Sequence, residues 1–224
     1  MLAFVAAEAR EFAGLLRHAE RVVKLDWPLD FARKIWLNGR AVLLVANGPG
    51  PKLAARAVEV AREREELTGL VSTGFCGALD PALRVGDIFV ATHVLPAGTP
   101  TKPLAPARGS ATGKLLSIDR VASTAAEKSE LRKTGADAIE MEAAGVAQKA
   151  TEYNLPFYCV RVVSDGAGDD LPLDFNRMRD SEGRFSRMKI LVAGFRAVPG
   201  LLKLNKNSKA AAQALGDFLA GTRF

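Results

Sequence analysis

The sequence predicts an α/β protein, a three-layer sandwich around a central mixed β-sheet. Three observations predict it. Several short segments (2–7, 40–47, 157–163) are almost continuously apolar, as strands covered on both faces are. Helical stretches alternate with them along the chain. Asn38-Gly39 between two apolar runs marks a tight antiparallel hairpin, which makes the sheet mixed rather than parallel.

In chain order, residues 2–7 read as a first strand running into a helix that carries Glu8, Arg10 and Glu11. Residues 34–38 and 40–47 form the hairpin. The turn GPGP at 48–51 opens a helix over 52–67, with Pro51 suited to its first turn. Residues 70–73 read as a short buried strand ending in the glycine turn GFCGALDP, and 85–94 as another, entered through Gly86-Asp87. The Pro-, Gly- and Thr-rich stretch 95–113 reads as a loop. A strand over 115–118, a helix over 123–133, a small-residue helix over 141–153 and the strand 157–163 follow, the last ending in SDGAGDD. The final fifty residues read as helical, interrupted near Pro199-Gly200. The whole chain, 1–224, is read as one domain with a basic helical segment at 174–224.

The 224 residues are 48% hydrophobic and 25% charged, ordinary for a globular protein with a sizeable core. No apolar run is long enough to cross a bilayer. The first residues lack a basic leader and meet acids at once, a poor signal peptide. Cys76 and Cys159 lie far apart, without metal or CxxC spacing, and the expected compartment is a reducing cytoplasm. Residues 174–224 carry ten Lys and Arg against four Asp and Glu, the whole of the net charge of +6. The remainder is neutral, which speaks against a broad nucleic-acid surface. Residues 184–209 alternate cations with large apolar side chains. They read as amphipathic helix covering the domain, with a surface resting on anionic lipid at the inner membrane face as the alternative.

Acids and glycines recur where the strands end: Glu8 and Glu11, Gly48 to Gly50, Gly74 to Gly77, Glu140 to Glu142, and Ser164-Asp165. In open α/β sheets such loops form the ligand rim. NGPGPK lacks the lysine spacing of a phosphate loop, so Gly48 and Gly50 are either a tight turn or a backbone cradle for an anion or water. Asp165 reads as a helix cap or as a partly desolvated general acid. Glu142 reads as a first-turn acid favoured by the helix dipole, or as an acceptor of paired sugar hydroxyls. Glu140 is expected to face solvent. Neither His18 nor His93 has ligand spacing, and no metal or organic cofactor is implied.

Three stretches in order, LVSTGFCGALDPALRVGDIFVATHV, AIEMEAAGVAQKA and LPFYCVRVVSD, resemble the purine nucleoside phosphorylase and methylthioadenosine/S-adenosylhomocysteine nucleosidase superfamily. The tail resembles one subgroup, the hopanoid-associated phosphorylases, thought to remove adenine from adenosylhopane. The resemblance implies cleavage of the bond between a nucleobase nitrogen and the ribose anomeric carbon, through an oxocarbenium-like transition state. It assigns Asp165 to protonation of the leaving base, oriented by Ser164, and Glu11 to activation of water, with Glu8 in reserve. It assigns Glu142 to the ribose hydroxyls, Met141 to the sugar face, and Gly74, Phe75, Cys76, Gly77, Val121 and backbone near Phe157 to the walls. Arg161 would hold nearby carboxylates. Phosphate would be a co-substrate of a phosphorolytic reaction, with Arg10, Arg40 and Lys52 as its cationic donors. A homo-oligomer is expected by analogy.

Two departures bear on the substrate. Phe75 stands where the superfamily often has a small polar residue, and Val121 stands near the place of a base-stacking aromatic. Both suit a bulkier, apolar 5′ group better than methylthioadenosine or S-adenosylhomocysteine. A sister nucleosidase, a futalosine hydrolase, and a non-catalytic nucleoside- or lipid-binding protein on the same fold are the alternatives.

Overall fold

The computed structural model describes residues 1–102, 110–180, 182–185 and 198–224. Among the described residues ten strands form one mixed sheet: β1 (Leu2–Ala6), β2 (Arg21–Lys24), β3 (Phe31–Leu37), β4 (Arg40–Ala46), β5 (Gly69–Ala78), β6 (Ile88–Leu95), β7 (Thr99–Pro100), β8 (Ser110–Ser117), β9 (Ala138–Glu140) and β10 (Phe157–Asp165). The helices are α1 (Ala13–Leu16), α2 (Pro51–Arg64), α3 (Ala125–Arg132), α4 (Ala143–Glu152) and α5 (Val198–Gly221), with 3-10 turns at Ala9–Phe12 and Phe175–Met178.

The layers follow from side-chain alternation along the strands. On β1, Ala3 and Val5 face a core shared with Ala54, Val58 and Ala61 of α2 and Val146 and Ala150 of α4. Phe4 and Ala6 face the other way, onto Leu15 of α1 and Ala211, Leu215 and Leu219 of α5. The sheet is therefore the middle layer. The buried stripe of α5, Ala211, Ala212, Leu215 and Leu219, has helical spacing and covers this face of the sheet; it lies beyond the 184–209 run that the sequence pattern singles out. Most of the alternating basic and apolar run, 186–197, lies outside the described residues. No helix among the described residues is long and apolar enough to cross a membrane.

The hairpin is as expected. Asn38 and Gly39 both have positive φ (50° and 72°), and β3 and β4 pair antiparallel around them. Strands β4, β1, β5 and β10 run parallel, so their carboxyl ends share one rim. Beyond β5 the sheet curls. β5 pairs with β10, β10 with β6, β6 with β8, β8 with β9, and β9 with β5 again, closing a ring.

Several sequence expectations are corrected. Residues 74–77 are not a turn: β5 runs straight through them to Ala78. The stretch 95–113 is not all loop. Thr99–Pro100 pairs with β6, β8 starts at Ser110, and 103–109 lie outside the described residues. Short β2 and β9 carried too few apolar residues to be recognised. Pro199-Gly200 does not interrupt a helix but lies in the first turn of α5. Glu142 is the N-cap of α4 rather than a residue within it.

Candidate active site

A cavity of about 620 Å³ opens at the shared rim. Glu8, Arg10 and Glu11 enter from the turn after β1, and Phe75, Cys76 and Gly77 from the end of β5. Met141 and Glu142 come from the β9–α4 junction, Ser164 and Asp165 from the end of β10, and Val121 and Ala122 from the approach to α3.

The glycines of β5 make room for two acids. A Cβ at Gly74, whose φ is +134°, would lie 2.4 Å from Glu11 Oε1, and one at Gly77 would lie 2.9 Å from Asp165 Oδ2. The β5 edge explains the first of these. It pairs with β1 through Ser72 and with β9 from Gly77. Between them the Phe75 N–H donates to Glu11 Oε1 at 2.8 Å, while the Glu8 N–H donates to Glu11 Oε2 at 2.8 Å. A carboxylate thus stands where a strand would otherwise be.

Arg161, wholly buried in mid-β10, lies beneath the acids. Its Nη2 is 2.5 Å from Glu140 Oε2 and its Nη1 is 3.6 Å from Glu142 Oε2. Thr73 O and Ser72 Oγ accept its remaining contacts, at 2.7 and 2.5 Å. Glu140 is buried, not solvent-facing: it pairs with Arg161 and accepts from the N–H groups of Glu142 and Ala143 at the start of α4. The Gly50 N–H donates to Glu142 Oε1 at 3.1 Å.

One arginine among three buried carboxylates leaves an excess of negative charge. Burial pushes the Glu142 carboxyl well above the usual range, and the neighbouring charge of Glu140 adds to this. Burial also raises Glu11, although the N–H groups of Phe75 and Glu8 pull the other way. Burial works against the charge of Arg161, but Glu140 and its other neighbours outweigh it and hold the guanidinium protonated. The Cys76 thiol on the cavity wall is driven up by burial, so it presents no thiolate.

Residues 5–116 and 110–189 match the Phosphorylase superfamily. The chain belongs to that superfamily. Among the superfamily's curated members it is 31% identical to the 5′-methylthioadenosine/S-adenosylhomocysteine nucleosidase of Psychromonas ingrahamii over 176 residues, covering 63% of this chain and 75% of that one. With the enzyme of the same name from Anoxybacillus flavithermus the identity is 27% over 173 residues, with the same coverage. The superfamily fold recurs in the crystal structure of the Neisseria meningitidis nucleosidase in complex with methylthio-immucillin-A, with a TM-score of 0.72, 22% identity and coverage of 98% and 96%. It recurs in a point mutant of the Helicobacter pylori nucleosidase with 5′-methylthioadenosine in the active site, with a TM-score of 0.70, 15% identity and coverage of 97% and 95%.

The superfamily's rim gathers most of the expected residues: Glu11, Asp165, Glu142, Met141, Ser164, Phe75, Cys76, Gly77, Val121 and Arg10 all line the cavity. Phe157 does not. It opens β10, paired with Leu70 and packed in the core, roughly 25 Å of strand from Asp165. Gly48 and Gly50 form no open cradle, because the Gly48 N–H donates to Ala7 O and the Gly50 N–H to Glu142. Of the three cationic donors only Arg10 reaches the cavity, and Glu8 pairs with it at 2.5 Å. Arg40 sits at the far end of β4, and Lys52 lines a separate cavity.

Sequence reasoning missed Lys128, which donates to Asp165 Oδ2 at 2.5 Å. Its one signal is helical spacing, three residues before the core-packed Leu131. It also missed the outer wall: Leu171, Phe175, Phe185 and, from α5, Leu202, Asn205 and Ser208. These come from segments whose composition reads as connection and cover.

Proposed function

We propose that the protein hydrolyses the N-glycosidic bond of an adenine nucleoside bearing an apolar 5′ group, such as adenosylhopane. The observation that carries this reading is that Asp165, Glu142 and Glu11 meet in one cavity whose outer wall is mainly apolar, with Leu171, Phe175, Phe185 and Leu202 beside Asn205 and Ser208. Glu142 and Met141 hold the ribose. Asp165, with Ser164 Oγ donating to its Oδ1 at 2.7 Å, gives a proton to the departing base. Glu11 takes a proton from the water that attacks the anomeric carbon. Phe75, Phe175, Phe185 and Leu202 receive the 5′ group. Use of water rather than phosphate is favoured by the engaged N–H groups of Gly48 and Gly50 and by the pairing of Arg10 with Glu8. Adenine as the base and the nucleosidase activity are supported by the similarity to the methylthioadenosine/S-adenosylhomocysteine nucleosidases.

Base release from adenosine, methylthioadenosine, S-adenosylhomocysteine and 5′-alkyl adenosines, with and without phosphate, tests the reading. Adenine release that is fastest for the long apolar 5′ group and indifferent to phosphate is expected. A strict phosphate requirement overturns the hydrolytic part, and preference for methylthioadenosine overturns the 5′ assignment. A homo-oligomer and a lipid-facing tail belong to the same proposal. Light scattering tests the first. Salt-reversible sedimentation with anionic vesicles tests the second.

A further inference from the structure

Lys128 has no exposed side-chain surface, and its Nζ is shared among Asp165 Oδ2 at 2.5 Å, Gly166 O at 2.8 Å and Asp169 O at 3.1 Å. An ammonium has three N–H bonds. All three acceptors here belong to the five residues that end β10 and follow it. The other Asp165 oxygen accepts from Ser164 Oγ, and the carboxyl remains 14% exposed, where it lines the cavity. Gly77, with no Cβ, leaves the space that Asp165 Oδ2 needs to reach Lys128.

We propose that Lys128 is a positioning residue for proton transfer: it aims the Asp165 carboxyl at the leaving base and stabilises the carboxylate left behind. The proposal rests on the reading of Asp165 as the acid. In that step the O–H bond of Asp165 breaks as an N–H bond forms on the purine. The electron pair of the C1′–N9 bond leaves with the base, water supplies the oxygen that bonds to C1′, and Glu11 accepts the water's proton. Negative charge therefore appears on Asp165 at the moment the glycosidic bond breaks. A cation already seated on Oδ2 meets it with no reorganisation, which is how preoriented charge lowers a barrier. The two carbonyl contacts keep the ammonium in place while the carboxyl changes charge. A lysine that only stapled α3 to β10 would not distinguish leaving groups that need a proton from those that do not.

The experiment compares two substrates on one enzyme preparation: the nucleoside that wild type cleaves best, and a 4-nitrophenyl riboside, whose phenolate leaves unprotonated. Lys128→Met is expected to slow adenine release by about 100-fold or more in kcat, at nearly constant KM, while barely slowing nitrophenolate release. Lys128→Arg is expected to recover part of the loss, and Asp165→Asn to share the pattern of Lys128→Met. The ratio of the two rates is independent of the fraction of variant that folds. Equal slowing on both substrates, or none on either, overturns the role of Lys128 alone. Wild-type protein that releases no adenine from any nucleoside overturns the proposed function and this role with it.

Discussion

The Gly50 N–H donates to Glu142 Oε1 at 3.1 Å, joining the N-cap of α2 to the N-cap of α4 across 92 residues of sequence. The helices can approach because α4 begins with small residues. A Cβ at Gly145 would lie 1.9 Å from Pro51 O. Gly145→Ala is therefore expected to push α2 outward, cost about 1–3 kcal/mol of stability and raise KM by loosening Glu142. Chemical denaturation and steady-state kinetics on one preparation check both parts.

Arg161 is the counter-charge of the site. Arg161→Met is expected to cost about 3–5 kcal/mol, because Glu140 and Glu142 are left buried without a cation. Urea unfolding measures it, and a loss under 1 kcal/mol would mean that the acids are neutral in the native protein.

Asp165→Asn keeps the shape and the Ser164 contact but removes the ionisable proton. A fall in kcat of about 10²- to 10⁴-fold is expected, with nucleoside affinity retained. Rapid-quench turnover and equilibrium binding separate the two.

Glu11 must be ionised to accept a proton from water, and burial raises its carboxyl above the usual value of 4.5. Activity should therefore climb with pH along a limb lying above the ordinary carboxylate range. Glu11→Gln should remove the activity together with that limb. A kcat/KM profile already flat at pH 4.5 would exclude Glu11 as the base.

The same burial makes stability pH-dependent. Glu11 and Glu142 hold protons more tightly in the folded than in the unfolded chain, so the folded state binds more protons once pH passes 4.5. Stability from these two groups is complete below that pH and is lost as pH rises through their elevated folded values. Melting temperature against pH should show this decline, and Glu142→Gln should flatten it.

Much of this was legible in the sequence. Continuous apolar runs gave β1, β4 and β10, Asn38-Gly39 gave the hairpin, and the recurrence of acids at strand ends placed Glu11, Glu142 and Asp165 on one rim. Gly74 to Gly77 misled, since a glycine cluster that usually signals a turn here clears a straight strand for two neighbouring carboxylates. Such clearance depends on contacts far away in sequence, and no local pattern encodes it. Phe157 misled differently: strand length alone carries it away from the rim. Lys128 and Glu140 were missed because charged residues are read as solvated unless their partners are known, and both partners are distant in sequence or hidden by the fold.

The closed ring of β5, β10, β6, β8 and β9 has a consequence for inheritance. Asp165 hangs from β10, and Glu142 stands two residues beyond the end of β9. Both strands are held by β5, so the gap between acid and sugar holder is a ruler ruled in backbone hydrogen bonds. Sliding either strand by one residue would break two ladders at once. The chemistry can therefore be passed on only as a block, while the residues of the outer wall, which belong to no ladder in the ring, are free to be exchanged from one lineage to another.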